Sequence, residues 1–200
     1  MTKRERPVSA RNVVSPESVA VPHLATRRTT LRPLTADDLA PTHALWTDPG
    51  VRKYLWDDDV IHEDQAAEVI AASERHFQQF GYGLWAVSER TADPLLMGVC
   101  GFRPSEAKEP ELLFGFWPRY WKRGLANESA CALLAYVFEI LQCPSVVAAT
   151  DVPNDSSIRA LRRLGMTLER RGVLNGLDTL FFRLSREEFA ASTGASEPAC

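Results

Sequence analysis

Between Trp121 and Asn127 the sequence reads Trp-Lys-Arg-Gly-Leu-Ala-Asn, a short basic turn with one glycine that runs directly into a long amphipathic stretch. The exposed N–H groups of a helix start form a seat for a pyrophosphate. Here they stand beside Lys122 and Arg123, and the small residues Gly124 and Ala126 leave them open. The ligand implied is a phosphorylated cofactor. The turn is not a nucleotide-hydrolase loop, because Gly-x-x-x-x-Gly-Lys-Ser/Thr is absent. Nor is it a dinucleotide fingerprint, because the second and third glycines are missing. One glycine in a basic turn also suits an ordinary loop capping a helix, so the neighbouring elements must decide.

Upstream, Glu111-Leu112-Leu113-Phe114-Gly115-Phe116-Trp117-Pro118 predicts a buried strand that ends at a proline just before the turn. Downstream, Val146-Val147-Ala148-Ala149-Thr150 predicts a second buried strand. It leads into a helix headed by Asn154 and Asp155, with Arg162 and Arg163 in its last turn and Gly165 at its C-cap. Strand, turn and helix are the context that a cofactor turn requires. Other strands are expected near 29–34, 84–89, 95–102, 168–172 and 178–184. A first helix is expected from Asp37 or Asp38 towards Trp46, with Pro41 in its first turn. A second, over about 64–80, puts Ala66, Val69, Ile70, Ser73, Phe77 and Phe80 on one face with Gly81 just beyond. A third, over about 125–142, lays Ala130, Leu134, Val137, Phe138 and Leu141 against the sheet.

The turn at 121–126 resembles the Gln/Arg-x-x-Gly-x-Gly/Ala acetyl-CoA signature of the GNAT acetyltransferase superfamily, in the form with an aromatic residue first. The segment from Asn154 to Met166 is similar to that superfamily's Asn-x-x-Ser/Ala motif and its helix ending Leu-Gly-Phe, with Met166 in the Phe slot. Leu24 to Leu34 resembles the opening of the ribosomal-protein N-terminal (RimJ/RimL-type) branch. Asp48-Pro49-Gly50-Val51, the strand at Gly83 to Val87 and the segment from Gly176 to Phe189 fit it too. The resemblance covers roughly residues 24 to 189. It implies an α/β (α+β) GNAT fold: a mixed, mostly antiparallel seven-stranded sheet with helices on both faces, splayed between its fourth and fifth strands, where acetyl-CoA enters.

By the same resemblance, Phe116 and Trp117 offer backbone groups to the pantetheine, and Lys122, Arg123, Gly124, Leu125, Ala126 and Asn127 hold the pyrophosphate. For the Phe116 and Trp117 side chains, plain core packing is the better account. Asn154 reaches the pantetheine through its amide, although capping a helix explains an Asn there as well. Ser157 points towards the thioester sulfur. The chemistry implied is direct attack of a neutral amine on the thioester, which needs a base, oxyanion donors and an acid. Glu111, a carboxylate among apolar neighbours, is the candidate base, and an exposed strand-end residue is the other reading of it. Backbone N–H groups near Phe116 are the candidate oxyanion donors. Many superfamily members use a Tyr as the acid, but Leu161 stands at that position, which leaves Ser157 or water. The acceptor is expected between the loop after the first helix and the last hairpin. There, Trp56 beside Asp57, Asp58 and Asp59 suits a cationic amine, with Asp178 as a further acidic candidate. A solvated acidic loop is the plainer reading.

The expected activity is acetyl-CoA-dependent N-acetyl transfer to a protein or peptide N-terminal amine. Two alternatives stay open: acetylation of a small amine such as a polyamine, aminoglycoside or amino acid, and a non-catalytic acyl-CoA-binding module. The 200 residues, 45% of them hydrophobic, suffice for one domain over 24–190, with flexible tails at 1–23 and 191–200. A net charge of −3 argues against nucleic-acid binding, and no apolar run reaches the length of a membrane span. The four cysteines form no Cys-x-x-Cys pair and read as reduced, structural residues of a cytoplasmic protein. His62-Glu63 is not extended to a zinc motif, so no metal is expected. Both monomer and homodimer are compatible with the branch.

Overall fold

Short strands of β-branched and aromatic residues alternate with amphipathic helices along the chain, and the computed structural model, which describes residues 22–91 and 94–194, assembles them around one sheet. The strands are β1 (Leu24–Ala25), β2 (Thr29–Pro33), β3 (Leu84–Glu89), β4 (Leu96–Pro104), β5 (Pro110–Phe116), β6 (Ser145–Asp151), β7 (Thr167–Leu174) and β8 (Leu177–Ser185). They lie in the order β1-β2-β3-β4-β5-β6-β8-β7, and every neighbouring pair is antiparallel except β5 and β6. The sheet is therefore eight-stranded rather than seven. The addition is the two-residue β1, too short to leave a periodic signal.

Period-two alternation divides the side chains between two cores. On one face, Trp85, Val87, Cys100, Phe102, Leu112, Phe116, Val146, Ala148 and Phe182 pack with α4 (Leu125–Ala135) and α5 (Asp155–Arg163). On the other, Leu84, Ala86, Val99 and Leu113 meet α1 (Leu39–Thr47), α2 (Pro49–Leu55) and α3 (Glu63–Phe80). Helices thus cover both faces. A last helix, α6 (Arg186–Gly194), follows β8.

The helix expected from Asp37 begins as a 3-10 turn at Ala36–Asp38 before α1. A separate helix, α2, was not foreseen. Pro49 fixes its first turn, and Asp48 caps it by accepting from the N–H groups of Gly50 (2.9 Å) and Val51 (3.3 Å). The helix expected over 125–142 is α4, continued by a π-helical turn at Tyr136–Ile140.

Cys100 and Cys143 are free thiols, as expected at those two positions, and Cys200 lies outside the described residues. The tails expected at 1–23 and 191–200 lie mostly outside the described residues, and α6 carries the chain to Gly194. Among the described residues, no helix is long and apolar enough to cross a membrane.

Candidate active site

The sheet opens where β5 meets β6. These parallel strands share one ladder pair, Glu111 with Val147, and part beyond it, whereas the β4–β5 and β6–β8 ladders run the length of their strands. The closed end is held by Arg183 of β8. Its guanidinium donates to Glu109 Oε1 (2.6 Å) and Oε2 (3.1 Å), to Ser145 Oγ (3.0 Å) and to Glu169 Oε1 (2.9 Å). One side chain thereby ties the approach to β5, the start of β6 and β7 to β8. The open end lies towards Phe116 on one side and Asp151 on the other.

Strand geometry decides which backbone groups face the gap. Trp117 N–H donates to Met97 O of β4 at 3.0 Å. By the alternation of an antiparallel ladder, the N–H groups of Phe114 and Phe116 then point away from β4, towards β6. Phe116 O faces the same way and accepts from the Trp121 indole at 2.6 Å. The backbone groups of Phe116 are thus partly free to meet a ligand, while the Trp117 N–H is taken. The Phe116 ring is buried in the core.

The basic turn closes this open end on the α4 face. Lys122 (φ 60°) and Gly124 (φ 76°) both adopt left-handed backbone, which folds the chain sharply before α4. At Gly124 the glycine is favoured by that dihedral and not by crowding, because an added Cβ would have its nearest neighbour, Arg28 Nη2, at 3.5 Å. The first intrahelical bond of α4 runs from Glu128 N–H to Gly124 O (3.0 Å), so the N–H groups of Leu125, Ala126 and Asn127 have no acceptor within the helix. The Leu125 side chain is buried, whereas the side chains of Lys122 and Arg123 are exposed. Asn127 departs from its expected role in one respect: its Nδ2 donates to Ala160 O of α5 at 3.0 Å, so its side chain joins two helices and its N–H is what a phosphate can use.

The turn is braced by a residue that sequence reasoning missed. Arg28 donates from Nη1 to Arg123 O (2.9 Å) and from Nε to Glu128 Oε2 (2.6 Å), and its backbone N–H reaches Glu128 Oε1 (2.7 Å). Burial alone would raise the Glu128 carboxyl, but its hydrogen bonds from Thr26 and Arg28 outweigh burial and lower it. A carboxylate is therefore fixed inside the first turn of α4.

Asn154, 8% exposed, caps α5 through Oδ1, which accepts from Ser157 N–H (3.2 Å) and Ser156 Oγ (3.0 Å). Its NH2 group has no acceptor among the described residues, and so keeps the donor that a ligand carbonyl could use. Ser157 is half-buried, and its hydroxyl likewise has no partner among the described residues. First-turn N–H groups, exposed cations and an unpaired amide donor together fit an acyl-CoA.

The opposite face of the gap belongs to α2. Gly115 faces that helix, for a Cβ there would stand 3.1 Å from Leu55 Cδ2. By strand alternation Glu111 and Leu113 share its side. On β6, Val147, Ala149 and Asp151 point away from the buried Val146 and Ala148. Tyr54 Oη of α2 reaches over to Pro153 O at 3.3 Å, which bridges the mouth. Glu111 is held by Arg103 through two bonds, Nε to Oε2 at 2.9 Å and Nη2 to Oε1 at 3.1 Å. That hydrogen bond is the main reason the Arg103 guanidinium is raised.

The acidic loop divides. Trp56 packs against Trp46 at 5.5 Å between ring centroids, and its buried Nε1 has no partner among the described residues. Asp58 pairs with Arg52 at 3.2 Å. Asp57, exposed and at φ 53°, pairs with no cation among the described residues. Asp178 is committed to Arg171 by two hydrogen bonds, one of 2.7 Å, and that pairing lowers its carboxyl. The structure brings Glu111 and the Trp56–Asp57 corner to one face of the gap, and turns the Asp178 side chain to a neighbour on its own hairpin. Among the described residues, no cluster of His, Cys, Asp and Glu is grouped to hold a metal ion.

The description "Acetyltransferase (GNAT) domain" matches residues 28–167. The Bacillus subtilis (strain 168) protein YkkB is 30% identical over 147 residues, which cover 72% of this chain and 84% of that protein. The crystal structure of an Agrobacterium tumefaciens (strain C58) acetyltransferase matches with a TM-score of 0.73 and 23% identity, covering 91% of this chain and 99% of that one. The spermidine N-acetyltransferase of Vibrio cholerae, solved with CoA and spermine, matches with a TM-score of 0.66 and 19% identity over 81% of this chain and 98% of its own. The split sheet, the basic turn heading α4 and the capped α5 are thus found in a chain matched over most of its length by one family, and this protein belongs to the GNAT acetyltransferase family, whose acyl donor is acetyl-CoA.

Proposed function

We propose that this chain acetylates the N-terminal amine of a protein or peptide, in the manner of the RimJ/RimL-type branch. The observation that carries an amine acceptor is the placement of the Glu111 carboxylate on the α2 face of the gap, fixed there by Arg103 and across the sheet from the α4 turn. In this reading Lys122, Arg123 and the N–H groups of Gly124 to Asn127 hold the pyrophosphate, and the Asn154 amide holds the pantetheine. Acetyl-CoA supplies the activated acyl group. Glu111 takes the proton that the attacking amine must lose, through a lone pair that Arg103 leaves free. The Phe114 and Phe116 N–H groups receive the charge that develops on the thioester oxygen. Ser157 returns a proton to the departing sulfur.

A small polyamine acceptor is the second reading, favoured by the Asp57 carboxylate, whose charge reaches both Arg103 and Asp151, and by the spermine in the related Vibrio cholerae structure. The test is Glu111→Gln. Turnover of acetyl-CoA should fall on the order of 10²-fold or more, with calorimetric affinity for acetyl-CoA kept. Unchanged turnover removes Glu111 from the mechanism.

A further inference from the structure

At the open end of the gap, one aromatic side chain of the basic turn reaches across to the opposite face of the sheet. Trp121 is 46% exposed, yet its indole is fixed at two points. Nε1 donates to Phe116 O at 2.6 Å. The far edge of the ring lies against α2, where a Cβ on Gly50 would stand 3.0 Å from Trp121 Cη2 and 3.4 Å from Pro118 Cγ. A ring held this openly gains less from burial than a core ring does, so the hydrogen bond weighs more in fixing its position.

The carbonyl it takes is one that the sheet leaves over. Phe116 O points away from β4, and the β5–β6 ladder has already ended at Glu111 and Val147, so β6 offers it no ladder partner. An unpaired backbone carbonyl costs free energy, and the indole N–H stands where a neighbouring strand would have donated. A ligand that enters the gap and lies along β5 as an added strand must bring its own N–H to the same atom. The pantetheine arm of acetyl-CoA is an extended chain with secondary amides, and so has that group.

We propose that Trp121 is a gate on the cofactor arm: its indole and the pantetheine compete for Phe116 O, and acetyl-CoA settles along β5 only when the ring swings out and yields that carbonyl. The inference rests on the reading that the pantetheine pairs with the Phe116 backbone. Solvent on the exposed side of the ring gives it room to move, and the turn behind it is open around Gly124. Because the same ring rests on Gly50, its departure also frees the start of α2, so that loading of the donor is felt on the face of the sheet that carries Glu111. A ligand that needs a minor open state binds more weakly by the fraction that is open. Loss of the indole bond should therefore tighten cofactor binding, which is the opposite of what loss of a supporting side chain does.

The test is calorimetric binding of two probes, CoA and adenosine 3′,5′-bisphosphate, which keeps phosphates and adenine but has no pantetheine arm. The variants are Trp121→Phe, which keeps a ring without the N–H, and Gly50→Ala, which presses a Cβ on the ring and leaves β5 and the turn untouched. Gly50 lies inside α2 and is not among the left-handed glycines, so alanine suits it and that variant keeps its fold even if Trp121→Phe does not. Both variants should bind CoA roughly fivefold tighter than the parent, with the bisphosphate within about twofold. Trp121 emission, taken as the difference between the parent and Trp121→Phe, should shift to the red with CoA and not with the bisphosphate. CoA affinity unchanged or weaker in every variant that folds, or a gain shared by the bisphosphate, overturns the gate. The backbone amide signal of Phe116 in isotope-labelled protein reports separately on the pantetheine reading. A Phe116 shift with CoA and no tightening in the variants contradicts the gate alone. CoA bound with no shift at Phe116, or no CoA binding, contradicts the pantetheine reading and the gate with it.

Discussion

In the proposed cofactor seat, Gly124 matters for its dihedral and not for its size. At φ 76° an L side chain costs about 1–2 kcal/mol, while the space around it is open. Gly124→Val should therefore fold with a modest loss of stability and a far larger loss of acetyl-CoA affinity, because the β-branched side chain covers the N–H groups of the first turn. Calorimetry against a thermal melt separates the two effects, and an affinity loss no larger than the stability loss would contradict this role. Glu128 makes a second prediction at this scale. Glu128→Gln removes the charge that holds Arg28, and so releases the Arg123 carbonyl. Acetyl-CoA binding should weaken several-fold in a titration, and unchanged binding would show that the turn stands without its brace. The residues of this site differ in how well the sequence displayed them. Glu111 was visible because a carboxylate heads an apolar strand, and the 121–127 turn because strand and helix flank it. Asp151 was not, since a carboxylate between a short strand and Val-Pro-Asn looks like ordinary loop. Only the β6 register shows which way it faces. Arg28 acts through partners 95 and 100 residues away, for which no local pattern exists, while Arg103 meets Glu111 across the β4–β5 ladder, a pairing that only the register reveals.

Among the elements, β5 and β6 matter most for what they do not do, which is to pair beyond Glu111 and Val147. The Arg183 clamp fixes that limit. Its hydrogen bonds, with that from Ser145, overcome burial and hold the Glu109 carboxyl below its ordinary value near 4.5. A carboxyl lowered in the folded state contributes stability that is present above about pH 4.5 and is lost as pH falls through the lowered value. Arg183→Met should lower stability at pH 7 by about 1–2 kcal/mol, discounted for partial exposure of the pair. It should also flatten the loss of stability between pH 5 and pH 3, as read by melts across that range; an undiminished acid slope would place the linkage elsewhere. Element boundaries were legible where a stop signal was strong. α3 ends at Gly81, which takes φ 78° as a C-cap glycine does. They were obscured where signals were short. α2 spans seven residues, and its Asp48-Pro49 start lies directly after α1. The π-helical turn after α4 keeps the apolar stripe of an ordinary helix, so periodicity alone could not separate the two.

For the molecule as a whole, the proposed site has one cofactor bridging elements far apart in sequence: β5, the turn before α4, and the Asn154 cap of α5. Ligand that binds only the folded chain should then stabilise all of it together. At 100 times its Kd, acetyl-CoA should add about 2.7 kcal/mol, a rise in Tm of roughly 5–10 °C for a chain of this size. A melt unmoved by the cofactor would contradict the assignment of the site. The two-faced sheet was legible from alternating strands and helices, while the split between β5 and β6 is a property of pairing and came into view only with the register. The measurement that tests the central claim most directly is thiol release from acetyl-CoA by the purified protein against N-terminal peptides, polyamines, aminoglycosides and amino acids. Release that depends on one class of primary amine, with an N-acetylated product, is the result expected. Cofactor bound at the α4 turn with no thiol released for any amine would contradict it.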